Sequence, residues 1–389
     1  MNQRDISEIR RRLNPDKKNP TIIRGCYLDA EGKVISTCEL DVNRMTTDEN
    51  EKYMALFKKC LSGTAGQNLL NIDFTPEQVQ EGAEHRLLSV LRQTALRDED
   101  AVETFWLRAM AYVQAEHEKM AQSVDEQQNA DHYLVLMMHD GYDVPVRNSN
   151  DELDHDQGTD MFSYVLCVVC PVKQAKSALR YVAAESEFHA RESDWVVGAP
   201  EVGFMFPAFE ERSANIHRAM YYTRNASDLH DAFMMSVFGA QPQMTAPEQK
   251  ETLQAILQES LQEECSLDVV QTMHETVSAM IEEQKADKYA EALTLTSRDV
   301  KNVLDTCGVS EEKQAAFEEK YQETFGEQAA IPAVNMVTPK QFKIETPNVS
   351  IKVSPEHSDL VETRMIDGRY YIMILADGDV EVNGMRINC

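Results

Sequence analysis

The polar side chains best placed to act together are Glu210, Glu211 and Arg212, with His217 shortly after them. They follow the aromatic run Phe204-Met-Phe-Pro-Ala-Phe209, as residues lining a pocket do. Two carboxylates with a guanidinium and an imidazole could do acid–base work. The competing reading is an ion pair that fixes a turn between two strands. Asp154, Asp156 and Asp160 lie in an acidic connection and are candidate oxygen ligands for a metal such as calcium. The connection lacks the Asp-x-Asp-x-Asp-Gly spacing and the distal bidentate glutamate of a calcium loop, so a solvated loop is the simpler reading and no metal is expected.

Other apparent motifs fail on their chemistry. Cys167-Val-Val-Cys170 has redox spacing, but a working dithiol sits at a helix N-terminus and this pair lies in a Val-rich run that predicts a strand. Ser62-Gly-Thr-Ala-Gly66 runs helix, glycines, strand, the reverse of a phosphate loop, and has no lysine at a following helix start. His274-Glu275 begins like a zinc-protease helix, but Ser278 stands where the second histidine belongs. No Gly-x-Ser-x-Gly elbow is present. Residues 300–317 have helix-turn-helix spacing, yet the would-be reading helix opens Glu311-Glu312 and continues Glu318-Glu319, acids that repel phosphate. No cofactor is expected, and the balance leans away from an enzyme.

The elements that must position these residues centre on residues 162–222. The run Tyr164–Val169 is apolar on both alternating faces, as a strand covered on both sides is. Residues 202–206 and 216–222 predict further strands. Upstream, a short helix over Asp5–Leu13, a hairpin around Asp29–Gly32, a helix capped by Thr47 and a helix opening at Thr75-Pro76 are expected. A helix carrying Val102, Phe105, Trp106, Ala109, Met110 and Val113 has a face wide enough to lie on the sheet. The Pro-containing connector 240–247 then precedes a helical stretch, and the tail 340–389 turns to period two with Asp367-Gly, Asp377-Gly and Asn383-Gly as hairpin turns. Tyr370–Leu375 is predicted as a strand covered on both faces. The expectation is an α+β protein: a domain over 1–240 on a mainly antiparallel sheet with flanking helices, an acidic helical domain over 241–335, and a small antiparallel β domain over 336–389.

Cys170-Pro-Val-Lys173, Gly203-Phe-Met-Phe-Pro-Ala-Phe-Glu-Glu-Arg212 and Tyr221-Tyr-Thr-Arg224 together resemble a Gram-positive bacterial family catalogued as domain of unknown function four-three-one-seven. Asp5-Ile-Ser-Glu-Ile-Arg-Arg-Arg12 and Leu61–Asn68 fit the same family, so the resemblance spans nearly the whole chain. It implies a bacterial cytoplasmic protein and supplies no activity.

The chain has 389 residues and a formal charge of −28, from 66 acidic and 38 basic side chains. Such a surface repels nucleic acid and anionic lipid unless a basic patch is segregated. One candidate patch exists: residues 1–24 hold 7 basic against 3 acidic side chains, whereas 244–330 hold 7 basic against 19 acidic. If nucleic acid is bound, Arg10, Arg11, Arg12, Lys17 and Lys18, with Arg4 and Arg24, are the expected contacts. The eight cysteines are scattered, as reduced thiols of a cytoplasmic protein are. No signal-like or membrane-spanning run is evident. A non-enzymatic interaction protein, self-associating or bound to a protein partner, is the leading expectation. Nucleoid or other nucleic-acid association and an enzyme centred on Glu210–Arg212 are the alternatives.

Overall fold

Strict alternation in one long strand sets the layers of the first part of the chain. Val165, Cys167 and Val169 face one way, Leu166, Val168 and Cys170 the other, and all six are at most 1% exposed. A strand with two apolar faces needs cover on both sides, so helices lie above and below it. The computed structural model describes residues 1–387 apart from 18–19, 21, 122–131, 145–159, 176, 192–193, 288, 377, 379 and 383–384. The chain forms two compact units, Met1–Thr245 and Ala246–Cys389.

In the first unit, α1 (Gln3–Arg12) leads into the hairpin β1 (Ile22–Asp29) and β2 (Val34–Asp41), then α2 (Thr47–Cys60) and β3 (Leu69–Asp73). Three helices follow: α3 (Pro76–Glu81), α4 (Ala83–Gln93) and α5 (Glu99–Ala121). The long strands β4 (His132–Val144) and β5 (Asp160–Gln174) pair with each other, and β6 (Ala178–Val182) and β7 (Glu187–Arg191) form a separate hairpin. Then come β8 (Trp195–Val197), β9 (Val202–Phe206), β10 (Ala208–Glu210), β11 (Ser213–Asn215), β12 (Arg218–Thr223) and α6 (Asp231–Phe238). The main sheet is antiparallel throughout, in the order β2-β1-β4-β5-β9-β12-β3, with β8 also pairing to β5.

Helices α4, α5 and α6 cover one face, through Leu88, Leu91, Phe105, Trp106, Phe233 and Phe238. Helices α1 and α2 cover the other, through Ile6, Ile9, Met54, Phe57 and Cys60. The helix starts follow capping chemistry. Asn2 and Asp5 form a capping box on α1, and Thr75 and Gln78 form one on α3. Helix α2 is capped by Thr46 rather than Thr47, because Glu49, three residues on from Thr46, closes the box. Helix α6 stops at Gly239, where φ is 62°. The centre of the sheet is packed tightly enough to require Gly203: a Cβ there would lie 2.5 Å from the Cys167 carbonyl oxygen and 2.8 Å from the Cys60 sulfur.

The second unit packs α7 (Ala246–Leu261), α8 (Leu267–Ala286), α9 (Ser297–Thr306) and α10 (Glu311–Phe325) around Leu257, Val277, Ile281, Leu304, Phe317 and Tyr321. The short strands β13 (Thr294–Thr296) and β14 (Ala330–Pro332) pair beside them, and the short helix α11 (Ala333–Met336) follows. The tail is three two-stranded hairpins: β15 (Phe342–Thr346) with β16 (Val349–Val353), β17 (Val361–Ile366) with β18 (Arg369–Ile374), and β19 (Val380–Val382) with β20 (Met385–Ile387). Asp367 and Gly368 turn the middle one with φ of 51° and 74°, as a primed two-residue turn requires. The Asp377-Gly and Asn383-Gly turns involve residues outside those described.

The middle hairpin corrects one expectation. Tyr370–Leu375 is not covered on both faces; the whole of β18 is exposed. Register explains its asymmetry. Tyr370, Ile372 and Ile374 stand opposite Met365, Thr363 and Val361, which makes one face apolar. Tyr371 and Met373 stand opposite Arg364 and Glu362, which makes the other face mixed. On the apolar face Tyr370 is 81% exposed, Met365 60%, Ile374 57% and Ile372 39%.

Candidate functional site

Glu210, at the end of β10, is brought together with different partners from those its neighbours in sequence offered. It lies 3.3 Å from the Met1 amino group and accepts hydrogen bonds from Asn215 Nδ2 at 2.7 Å and Arg218 Nη1 at 2.9 Å. Burial raises its pKa, but the Asn215 and Arg218 hydrogen bonds and the charges of the Met1 amino group and Arg218 outweigh that and hold the carboxyl below its ordinary value. Arg212 turns instead to Glu8 on α1, donating through Nη1 at 2.7 and 3.0 Å. Glu211 and Arg212 occupy the left-handed turn of β10–β11, with φ of 48° and 62°, and Glu211 and His217 are exposed. The cluster thus ties the N-terminus and α1 to the β10–β11 hairpin.

The N-terminal cations divide as well. Arg12 donates to the buried Asp140 through Nε at 2.9 Å and Nη2 at 2.8 Å, and its guanidinium lies 4.7 Å above the Tyr142 ring. Tyr164 donates to the same carboxylate at 3.0 Å. Arg24 pairs with Glu39 and Glu99. By contrast, exposed Arg10 and Arg11 line a cavity of about 480 Å³ with Asn14 and Lys58, so that among the described residues its lining holds three cations and no acid. Lys17 lies in a single 3-10 turn and its side chain is not described; Lys18, Asp154 and Asp156 lie outside the described residues, as does the side chain of Asp160.

A second constellation carries no sequence signal. Glu116 on α5 and His230, just before α6, are 6% and 8% exposed, and Asp228 lies beside them. One ligand atom from each of the three falls within 4.8 Å of the others. His230 Nδ1 is 3.5 Å from Glu116 and 3.2 Å from the Tyr112 hydroxyl. The loop is held rigidly: Tyr221 donates to the Leu229 carbonyl at 2.7 Å, Thr223 to the Asp228 carbonyl at 2.8 Å, and the His230 amide to Asp228 Oδ1 at 3.0 Å. His230 itself sits at φ 50°, ψ 61°, a left-handed conformation that costs a residue with a Cβ about 1–3 kcal/mol and that concentrates at functional sites. Lys119 donates to Asp228 Oδ2 at 2.7 Å. Burial pushes the nearby Glu201 carboxyl up, against the pull of His230. Asp228 goes down: the Lys119 hydrogen bond and the His230 charge outweigh its burial. Two acids driven apart in this way around a histidine are the kind of pairing that active and binding sites use. In the sequence, Glu116 is one acid of many on a helix and lies more than a hundred residues from its partners.

Several other histidines and thiols are engaged in packing. Cys60, Cys167 and Cys170 are fully buried, and burial raises each thiol well above its ordinary value. Cys167 and Cys170 belong to opposite faces of the sheet. His85 meets the Ile216 carbonyl at 2.9 Å.

A family described as "Domain of unknown function (DUF4317)" matches residues 1–385. The chain belongs to that family. Neither the curated proteins nor the solved structures contain a match to it. In this DUF4317 chain three of the segments that carried the resemblance lie in or next to the main sheet: Cys170–Lys173 in β5, Gly203–Phe206 in β9 with the following residues to Arg212 in the separate β10–β11 hairpin, and Tyr221–Thr223 in β12. Among the described residues no helix is long and apolar enough to cross a membrane.

Proposed function

We infer that this chain is a non-enzymatic cytoplasmic interaction protein that assembles with further copies of itself through the β17–β18 hairpin. The observation that carries this reading is the exposed apolar face of Met365, Tyr370, Ile372 and Ile374 on a two-stranded sheet. A lone hairpin is marginal in water, and a contiguous exposed apolar face marks an interaction surface. Charge favours a second copy as the occupant. Residues 340–389 hold six basic and eight acidic side chains, so this part is close to neutral in a chain of −28, and like copies repel least there. A hairpin face meeting its own copy about a two-fold axis is also self-complementary by construction. The test is mass in solution by light scattering over a range of concentrations. The native chain should exceed the 44.2 kDa of one copy, and Ile372→Lys/Ile374→Lys should return it to that mass. A native chain that stays at one copy throughout would remove the reading.

The cavity lined by Arg10, Arg11 and Lys58 supports a second reading, association with nucleic acid through phosphate contacts. Such binding would be sequence-independent and would fall steeply with salt. Arg10→Gln/Arg11→Gln/Lys58→Gln leaves Arg12 and its structural contact in place. Unchanged DNA and RNA affinity in that variant at low salt would clear the cavity of this role.

A further inference from the structure

We propose that Glu116, Asp228 and His230 form a binding site for a divalent first-row transition metal, with His230 Nδ1 and one oxygen from each carboxylate as the protein ligands. The three donors come from two fixed places, the body of α5 and the pinned loop between β12 and α6, and already converge to within 4.8 Å. An ion at 2.0–2.2 Å from each donor, the usual length for such ligands, needs only a small inward rotation of the side chains. Tyr112 gives up its contact with Nδ1 in that rotation.

An independent observation points to a cation. Glu116 is only 6% exposed, and its carboxylate is met by two long ion pairs. Its nearest positive groups are His230 Nδ1 at 3.5 Å and Lys119 Nζ at 4.0 Å. A buried carboxylate held by long ion pairs is poorly compensated, and buried charges are paired closely or coordinate metals. Lys119 is the competitor: its ammonium bridges towards both carboxylates, at 2.7 Å from Asp228 and 4.0 Å from Glu116. Its side chain is 58% exposed and free to swing out to water, so the same two acids can pass from lysine to metal.

The donor set decides the class of ion. One imidazole and two carboxylates suit zinc, manganese or ferrous iron. They are too few oxygens for calcium, which takes six to eight, and no thiolate is present for a soft ion. The remaining positions would fall to water.

Titration calorimetry of the full chain, stripped with chelator, with ZnCl₂ and with MnCl₂ as separate probes, tests this. One ion should bind per chain. Glu116→Gln and His230→Gln should each weaken binding by at least about tenfold, since loss of even an outer-shell partner costs about 10–100-fold. Lys119→Met removes only the competing charge from an exposed side chain and should tighten binding several-fold, a gain that misfolding cannot produce. Absence of binding by both ions at millimolar concentration would overturn the proposal. So would equal affinity in folded His230→Gln and the native chain, or unchanged affinity in Lys119→Met.

Discussion

Arg12→Met should destabilise the first unit by about 3 kcal/mol, and the reason is Asp140. That carboxylate is 1% exposed at the side chain and receives two hydrogen bonds from Arg12, at 2.9 and 2.8 Å, and one from Tyr164 at 3.0 Å. Methionine keeps the length of the apolar stem but leaves a buried charge with the tyrosine hydroxyl alone. Removing one partner of a buried pair costs about 3–5 kcal/mol, and the 21% exposure of Arg12 places this pair at the lower end. With a urea slope of about 3 kcal/mol per molar for a unit of this size, the midpoint should fall by about 1 M. Both tryptophans, Trp106 and Trp195, lie in the first unit, so tryptophan fluorescence reports its unfolding alone. Asp140→Leu added to Arg12→Met removes the stranded charge and should recover at least half of the loss. A loss below about 1 kcal/mol in the single variant would refute the reasoning, as would a double variant no more stable than the single.

Three further outcomes follow from the packing and the charges. Gly203→Ala should cost about 1–3 kcal/mol in the same urea assay, because its Cβ would meet the Cys167 carbonyl at 2.5 Å; a neutral effect would mean that the sheet yields there. Among the described cysteines a thiol reagent applied to the native chain should modify exposed Cys38 first and leave Cys60, Cys167 and Cys170 untouched until denaturant is added; early labelling of any of the three would show that the sheet opens. Glu210 and Asp228 have carboxyls held below their unfolded values of 4.5 and 3.8, so the stability they contribute is present above that range and is lost as pH falls through their lower folded values. Glu210→Gln should therefore flatten the acid limb of the urea midpoint plotted against pH, and an unaltered limb would contradict the assignment.

Much of the fold is legible locally. Alternation along Tyr164–Val169 predicts a strand with two covered faces, and the strand has them. Thr75-Pro76 and Gly239 mark helix ends because a cap, a fixed proline φ and a left-handed glycine act within a few residues. Thr46 was legible too: its spacing to Glu49 is that of a capping box, and Thr47 lacks it. What the sequence conceals is what the sheet brings together across distance. Arg12 looks like Arg10 and Arg11 until Asp140, far along the chain on β4, claims it. Tyr370–Leu375 is apolar at every position, but its cover depends on the residues opposite, and Arg364 and Glu362 make one side polar. The β6–β7 hairpin went unpredicted, since Leu179, Tyr181 and Phe188 are exposed and follow no buried alternation. Glu116, Asp228 and His230 share no spacing that a motif could hold.

Self-association through the hairpin is the central functional claim, and cross-linking between labelled copies tests it most directly. A photoreactive phenylalanine analogue replaces Tyr370, and chains grown in light and heavy nitrogen are mixed before irradiation. Mass spectrometry then identifies what position 370 touches. The account predicts cross-links that join heavy to light chains, with Met365, Ile372 or Ile374 of the second copy as the residues captured. Cross-links confined within one chain, to either unit, would contradict it and make the hairpin's occupant the chain itself.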